Sequence, residues 1–393
     1  MTKECIADRF ASFGTTIFAE MTALAAHHEA VNLSQGFPDF DGPDLGKLAA
    51  ARAMKAGHNQ YAPLPGTPVL REAIAGWASR VSGIGCDPDR EITVTSGCTE
   101  AIAATMLGLL NPSDEVVVFE PYYDSYRACL AMAGATPRFV TMRRTEHGFG
   151  YDPADLRAAF GPKTRAVLVN TPHNPTGTVF SSAQLDEIAT LCIEHDAIAI
   201  CDEVYERLVY DDHQHTSIAT RPGMRERSVV LSSSGKSFSL TGWKIGWAIA
   251  PEHLSRGIRM AHQFLTFAVA TPLQHGIAAL LNEGESEIVK LRDHYAHTRA
   301  LLGVALQELG FELSLPQGSY FILADHTAVT QRLGLETDVD LCRWLPEHAG
   351  VAAIPPSAFY SNPEDGAHLV RFAFCKRTET IDEAIRRLRS AIN

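Results

Sequence analysis

The sequence predicts an α/β protein in two parts: a large domain with a mostly parallel sheet flanked by helices, and a smaller α+β domain. Three observations lead there. At 393 residues the chain is too long for one small core. From about 91 to 249, short runs rich in valine and isoleucine alternate with longer stretches of helical period, the pattern of βα units. Past Asn282 the alternation stops, and a long charged helical stretch, a strand-like run and a closing helix follow. The expected division is 46–282 for the large domain, with 1–45 and 283–393 forming the small one.

In chain order, a helix near 17–28 and a turn at Gly36-Phe37-Pro38-Asp39 are expected to pack on the small domain. Strands follow at 92–95, 115–119, 166–169, 197–201 and 229–231. The last four are continuous apolar runs, which reads as burial on both faces, as parallel strands require. Helices are expected at 99–110, 123–133 and 182–195, the last opened by the capping residues Ser181-Ser182. The small domain should hold a helix over 285–309, a strand over 318–323 and a final helix over 380–391. There is no internal repeat or low-complexity linker.

Composition removes several classes of function. A formal net charge of −12 provides no basic stripe for phosphate backbones, so no nucleic-acid partner is expected. No stretch reaches the roughly 18 continuous apolar residues of a membrane helix, and the N-terminus lacks an apolar signal core, so the chain reads as cytoplasmic. The eight cysteines are scattered without a CxxC pair and read as reduced, small hydrophobic residues. The histidines show no metal-ligand spacing, and no metal site is expected.

The chemistry gathers where apolar runs end. Lys236, in Ser232-Ser233-Ser234-Gly235-Lys236-Ser237, lies just past a strand, where α/β sheets present ligands. A lysine amine condenses with aldehydes, and burial beside another cation makes it nucleophilic. Taken alone, it also reads as a solvated loop residue. Asp202 ends the run Ile200-Cys201, a costly place for a carboxylate unless it is paired; the other reading is a cap for a following helix. Tyr205 lies three residues on. In Asn170-Thr171-Pro172-His173-Asn174-Pro175-Thr176-Gly177 two prolines fix the backbone so that Asn174 can project its amide, although a simple Pro-Gly turn fits as well. Ser96-Gly97-Cys98-Thr99 joins a strand to a helix, so backbone N–H groups and the Thr99 hydroxyl can hold a phosphate, with a plain N-cap as the alternative. Ser233 and Lys244 would add a hydroxyl and a charge. Tyr123 offers a ring for stacking or for the core. Arg371, inside Leu369-Val370-Arg371-Phe372, is an expensive cation on a strand, explained by a carboxylate ligand or by an internal salt bridge.

These motifs, in this order and over essentially the whole chain, resemble the class I/II aminotransferases of fold type I, which use pyridoxal phosphate. The combination is far more specific than any part. The resemblance implies Lys236 as Schiff-base lysine and proton shuttle, Asp202 at the pyridine nitrogen, and Asn174 with Tyr205 at the phenolate oxygen. Tyr123 would stack on the ring, and Cys98, Thr99, Ser233 and Lys244 would bind the phosphate. Arg371, with Asn174, would hold the substrate carboxylate. Tyr61, in Asn59-Gln60-Tyr61, matches a tyrosine that reaches the partner subunit's phosphate, which implies a homodimer with shared sites. The stretches 32–40 and 239–244 resemble the kynurenine/glutamine transaminase K branch, and 59–63 with 352–355 look like its bacterial methionine aminotransferases. One departure is Phe267-Ala268, where kynurenine-type members carry Phe-His.

The resulting expectation is amino transfer between an L-amino acid of methionine, glutamine or aromatic type and a 2-oxo acid, with Phe18, Gly36 and Phe267 lining an apolar side-chain pocket. The same framework would also serve a cysteine-conjugate C–S β-lyase. A regulator's effector domain would need a fused DNA-binding domain, and an acidic chain with few residues before Gly36 does not suit it. A dinucleotide site would need GxGxxG after the first strand, which the 96–98 turn does not supply.

Overall fold

The valine-rich runs assemble into one sheet. The computed structural model describes residues 5–11, 13–14 and 16–392. Its main sheet comprises β1 (Ile92–Ser96), β2 (Glu115–Glu120), β3 (Thr136–Thr141), β4 (Thr164–Asn170), β5 (Ile198–Asp202), β6 (Ser228–Ser233) and β7 (Ile245–Ile249). The spatial order is β1-β7-β6-β5-β4-β2-β3. β2, β3, β4, β5 and β6 pair in parallel, and β7 runs antiparallel between β6 and β1. Six strands therefore end on one edge, where β7 begins.

Successive residues alternate between two cores, one on each face of the sheet. Val167, Val169, Ala199 and Cys201 face the helices Pro68–Ser82, Ser182–Glu194 and Thr271–Glu283. Leu168, Ile198, Ile200 and Leu231 face Gly97–Leu109, Asp124–Ala133 and Glu252–Leu265. The expected capping box at Ser181 forms with Gln184. β3 was not foreseen: its sequence Thr-Pro-Arg-Phe-Val-Thr mixes polar and apolar residues because it is an edge strand.

A further core gathers Met21 and Leu33 with the helices Glu285–Glu308 and Thr378–Ile392 around the antiparallel pair β8 (Phe321–Asp325) and β9 (Leu369–Ala373). It also takes in Val204 and Tyr205 and so reaches the end of β5. Val31–Asn32 pairs with Val351–Ala352, tying the N-terminal segment to this part of the chain. The strand expected over 318–323 begins only at Phe321. Ser319 is left-handed, with φ 62°, and a Cβ at Gly318 would lie 2.7 Å from Pro172 Cβ, so the chain bends against the Pro172 loop before it extends.

Gly97–Leu109 crosses Glu252–Leu265 at backbone contact. A Cβ at Gly108 would sit 2.3 Å from the Gly257 carbonyl oxygen, and one at Gly257 would sit 2.6 Å from the Gly108 oxygen. Gly108→Ala should lower unfolding stability by about 1–3 kcal/mol, because overpacking at a backbone crossing exceeds alanine's better helix propensity. The urea midpoint measures this. In the loop after β4, His173 is buried and its Nδ1 lies 2.9 Å from Thr176 Oγ1. Burial pushes its pKa down from 6.5 to about 3. The unfolded chain then takes up a proton that the fold refuses, so stability present above pH 6.5 is lost as pH falls toward 3, by on the order of 5 kcal/mol in all. His173→Gln should flatten the fall in urea midpoint between pH 7 and pH 4. An unchanged pH dependence would contradict this reading.

Candidate active site

Because six strands end on one edge, the segments that leave them converge there. Gly97–Thr99 follows β1, Tyr123 follows β2, Asn174 follows β4, Tyr205 follows β5, Lys236 follows β6, and Lys244 precedes β7. Together they line a cavity of about 350 Å³, joined by Phe18 and Gly36 from the N-terminal segment and by Arg371 from β9. This is the crevice at the carboxyl ends of strands where open α/β sheets bind ligands. Of the residues singled out in the sequence, Cys98, Thr99, Asp202 and Ser233 also line it.

Asp202 is buried at the end of β5. Its Oδ2 accepts a 2.6 Å hydrogen bond from the Tyr126 hydroxyl, and its Oδ1 accepts from Cys98 Sγ at 3.7 Å and from the Val204 amide at 3.4 Å. All three donors are neutral. Burial raises the carboxyl's pKa, and these hydrogen bonds with the charge of Lys236 pull it back. No helix follows Asp202, so the capping alternative does not hold. The backbone beside it is held by Asn170, its register partner on β4, whose Nδ2 donates to the Asp202 carbonyl at 2.8 Å and whose Oδ1 accepts from the Asn174 amide at 2.7 Å.

Lys236 sits on a single helical turn, Ser234–Ser237. Its Nζ donates to the Tyr320 hydroxyl at 2.6 Å and lies 5.7 Å from the centre of the Tyr205 ring. Burial lowers its pKa, opposed by the nearby Cys375 and Asp202 and assisted by Lys244. Tyr320 in turn donates to the Gly36 carbonyl. Gly36 is required at this approach, because a Cβ there would lie 2.5 Å from the Phe321 ring.

At the β1 turn Ser96 makes no side-chain cap, so the plain N-cap alternative fails, and Gly97, Cys98 and Thr99 in the first turn of Gly97–Leu109, whose N–H groups lack helix partners, line the cavity. Lys244, in a left-handed conformation, holds its ammonium 3.0 Å from where a Gly97 Cβ would stand. The Cys98 thiol is pushed well up by burial and by Asp202, so it is present as a neutral donor.

Arg371 is buried, and among the described residues it forms no internal salt bridge. Its guanidinium donates to the Asn174 side-chain oxygen at 3.3 Å and to the Ser34 carbonyl at 2.9 Å, and Nε is left without a partner. It lies 4.1 Å above the Phe321 ring and 5.2 Å from that of Phe18. Burial pushes its pKa down to about 10, which still leaves it charged at neutral pH.

Phe267 and Tyr61, the latter expected to reach the partner subunit's phosphate, do not line this cavity. Tyr61 is 84% exposed, and Phe267 is 48% exposed, 5.4 Å from it edge to face. Phe267, expected to line an apolar side-chain pocket, is not among the residues lining this cavity; it sits just past Glu252–Leu265 in a left-handed conformation, φ 68°. Conversely, Tyr126, Tyr320, Asn170 and Phe321 were missed. Tyr126 was findable, since it stands three residues after Tyr123 on one helix face.

These groups fit a ligand of definite composition. Asp202 is a buried anion among neutral donors, Arg371 a buried cation with an unpartnered Nε, and the Gly97 turn with Lys244 a cradle of N–H groups and positive charge. A molecule bearing a protonated ring nitrogen, a phosphate and a bound carboxylate answers all three, which is what pyridoxal phosphate with an amino acid brings.

Comparison with known proteins agrees. The family described as aminotransferase class I and II matches residues 28–388. A solved structure of N-succinyldiaminopimelate aminotransferase from Mycobacterium tuberculosis superposes with a TM-score of 0.95 at 45% identity, covering 98% of this chain and 100% of that one. The methionine aminotransferase of Escherichia coli is 41% identical, over 96% of each chain. Human kynurenine–oxoglutarate transaminase 1 is 35% identical, over 99% of each. The chain belongs to the class I and II aminotransferases, fold-type I enzymes that transfer amino groups with pyridoxal phosphate as cofactor.

Proposed function

We propose that Lys236 both anchors the cofactor and moves the substrate proton, in an enzyme acting on amino acids with apolar, amide or aromatic side chains. The observation that carries this is the pairing, in one cavity, of a lysine amine with lowered pKa and a buried carboxylate met only by neutral donors. Pyridoxal phosphate, when bound, supplies an aldehyde carbon that captures amines and a protonated ring that draws electrons from the substrate's α-carbon. Asp202 would hold a proton on the ring nitrogen, Asn174 and Tyr205 would donate to the ring oxygen, and Tyr123 would cover the ring. Cys98, Thr99, Ser233 and Lys244 would hold the phosphate. Arg371, steadied by Asn174, would bind the substrate carboxylate and so aim the α-hydrogen at Lys236, whose Nζ would accept and hold that proton. The exchange runs in two halves, one amino acid leaving as its 2-oxo acid before a second 2-oxo acid accepts the amino group.

Phe18 and Gly36 border the side-chain end of the cavity, with Phe37 and Phe321 beside them. The cations lining the cavity are Lys236, Lys244 and Arg371, each used above, which favours an uncharged side chain such as that of methionine, glutamine or an aromatic amino acid. The likeness to an N-succinyldiaminopimelate aminotransferase supports a second reading with an acidic donor. None of the reported relatives favours a C–S β-lyase.

The chain is further proposed to act as a cytoplasmic homodimer, divided into 46–282 and 1–45 with 283–393. The separate core around β8 and β9 supports the division. Buried thiols at Cys129, Cys192, Cys201, Cys342 and Cys375 suit a reducing compartment. Among the described residues no helix is long and apolar enough to cross a membrane. Tyr61 and Phe267, with Phe264 at 80% exposure, form an outward aromatic group suited to a partner's surface, and Tyr61 of the partner subunit would complete the phosphate site.

Lys236→Ala should retain the fold, lose the absorbance of covalently held cofactor and lose turnover; full activity in this variant contradicts the assignment. In a panel of donors against several 2-oxo acids, methionine, glutamine and phenylalanine should give higher kcat/KM than N-succinyldiaminopimelate. The reverse order would select the second reading.

A further inference from the structure

The segment Asp202-Glu203-Val204-Tyr205-Glu206 carries three carboxylates in five residues, all buried. Asp202, Val204 and Tyr205 line the active cavity. Glu203 and Glu206 do not, and meet a different set of side chains. Glu203 Oε1 accepts from Ser217 Oγ at 2.6 Å, and its Oε2 lies 3.0 Å from His215 Nε2. Glu206 Oε1 accepts from Trp77 Nε1 at 2.9 Å. Trp77 belongs to the helix Pro68–Ser82, and its ring lies 6.2 Å from that of Phe238, two residues beyond Lys236.

Burial pushes the His215 imidazole down, but the charge and hydrogen bond of Glu203 and the charge of Glu206 outweigh it and hold its pKa above the usual range. His215 is therefore the group in this cluster whose charged form its surroundings favour. Burial pushes Glu206 up to about 7. For stability alone, apolar side chains would serve as well as a buried ion pair, whereas an ion pair adds direction. The direction matters here. Residues 211–217 carry no regular structure, so side-chain contacts decide how that segment braces the end of β5.

We propose that Glu203, His215 and Ser217, with Glu206 and Trp77, form a buried clamp behind β5 that positions Asp202 and Tyr205 toward the cofactor ring. The proposal rests on the reading of Asp202 and Tyr205 given above. None of the clamp residues is among those lining the active cavity; they act through the turn. In metal sites, groups that orient a ligating side chain typically cost about 10- to 100-fold in affinity when removed, and an effect of the same order is expected here.

The test uses purified holoenzyme. His215→Ala should raise the dissociation constant for pyridoxal phosphate by about tenfold and displace the absorbance-against-pH curve of the bound cofactor. Free imidazole should reverse both changes, since a cavity of about 500 Å³ lined by His215 and Glu206, with Asp211 and His213 exposed at its rim, gives it a way in. Ser217→Ala, a milder change, should move the same two quantities in the same direction even if His215→Ala folds poorly. Cofactor affinity within twofold of the parent and an unmoved curve in both variants would overturn the proposal, and so would a loss that imidazole does not reverse. Asp202→Asn is run alongside. If it displaces the curve and the clamp variants do not, the clamp alone fails; if it does not displace the curve, the reading of Asp202 fails and the clamp falls with it.

Discussion

The site depends on a buried carboxylate held among neutral donors. Asp202 ends a strand that is covered on both faces, and the hydroxyl of Tyr126, the thiol of Cys98 and the amide of Val204 satisfy its lone pairs without neutralising its charge. Leaving such a group in an apolar interior is costly unless a cation arrives. The protonated nitrogen of a pyridine ring is such a cation, and the surrounding geometry follows from placing it there. Gly97–Thr99, the amine of Lys236 and the guanidinium of Arg371 line the same cavity as that carboxylate, which is the arrangement the proposed ring, held at that one atom, requires.

The sheet makes this placement possible. With β7 reversed and the other six strands running the same way, each βα connection delivers its first residues to a single edge. The register Asn170↔Asp202 puts the amide that steadies Asn174 directly beside the carboxylate. The second core then closes the cavity from the far side, bringing Arg371 on β9 and Tyr320 just before β8 to face the strand ends. Residues from the sheet edge and from the second core thus line one cavity, which lies where the two cores meet.

Much of this could be read in the sequence, and the parts that could not share a cause. Asp202, Asn174 and Lys236 each follow an apolar run, so a period-2 or continuous hydrophobic pattern places them at strand ends without further information. Tyr126 was legible by helical spacing from Tyr123 but was not singled out. Tyr320 and Phe321 were not legible: their partners, Lys236 and Arg371, stand far away in the chain, and nothing local marks a tyrosine in Gly-Ser-Tyr as the hydrogen-bond partner of a lysine 84 residues earlier. The left-handed conformation of Phe267 after a helix is likewise not one that a phenylalanine advertises. The edge strand β3 escaped for a related reason, since exposure on one side removes the continuous apolar run that revealed its neighbours.

The most direct measurement of the central interaction is the protonation state of the bound ring. With pyridoxal phosphate labelled with nitrogen-15 at the pyridine position, the nitrogen chemical shift of the loaded protein reports whether that atom carries a proton. An Asp202 carboxylate in the position argued here keeps the shift in the protonated range across neutral and mildly alkaline pH. A shift in the neutral-pyridine range at pH 7 would contradict the account.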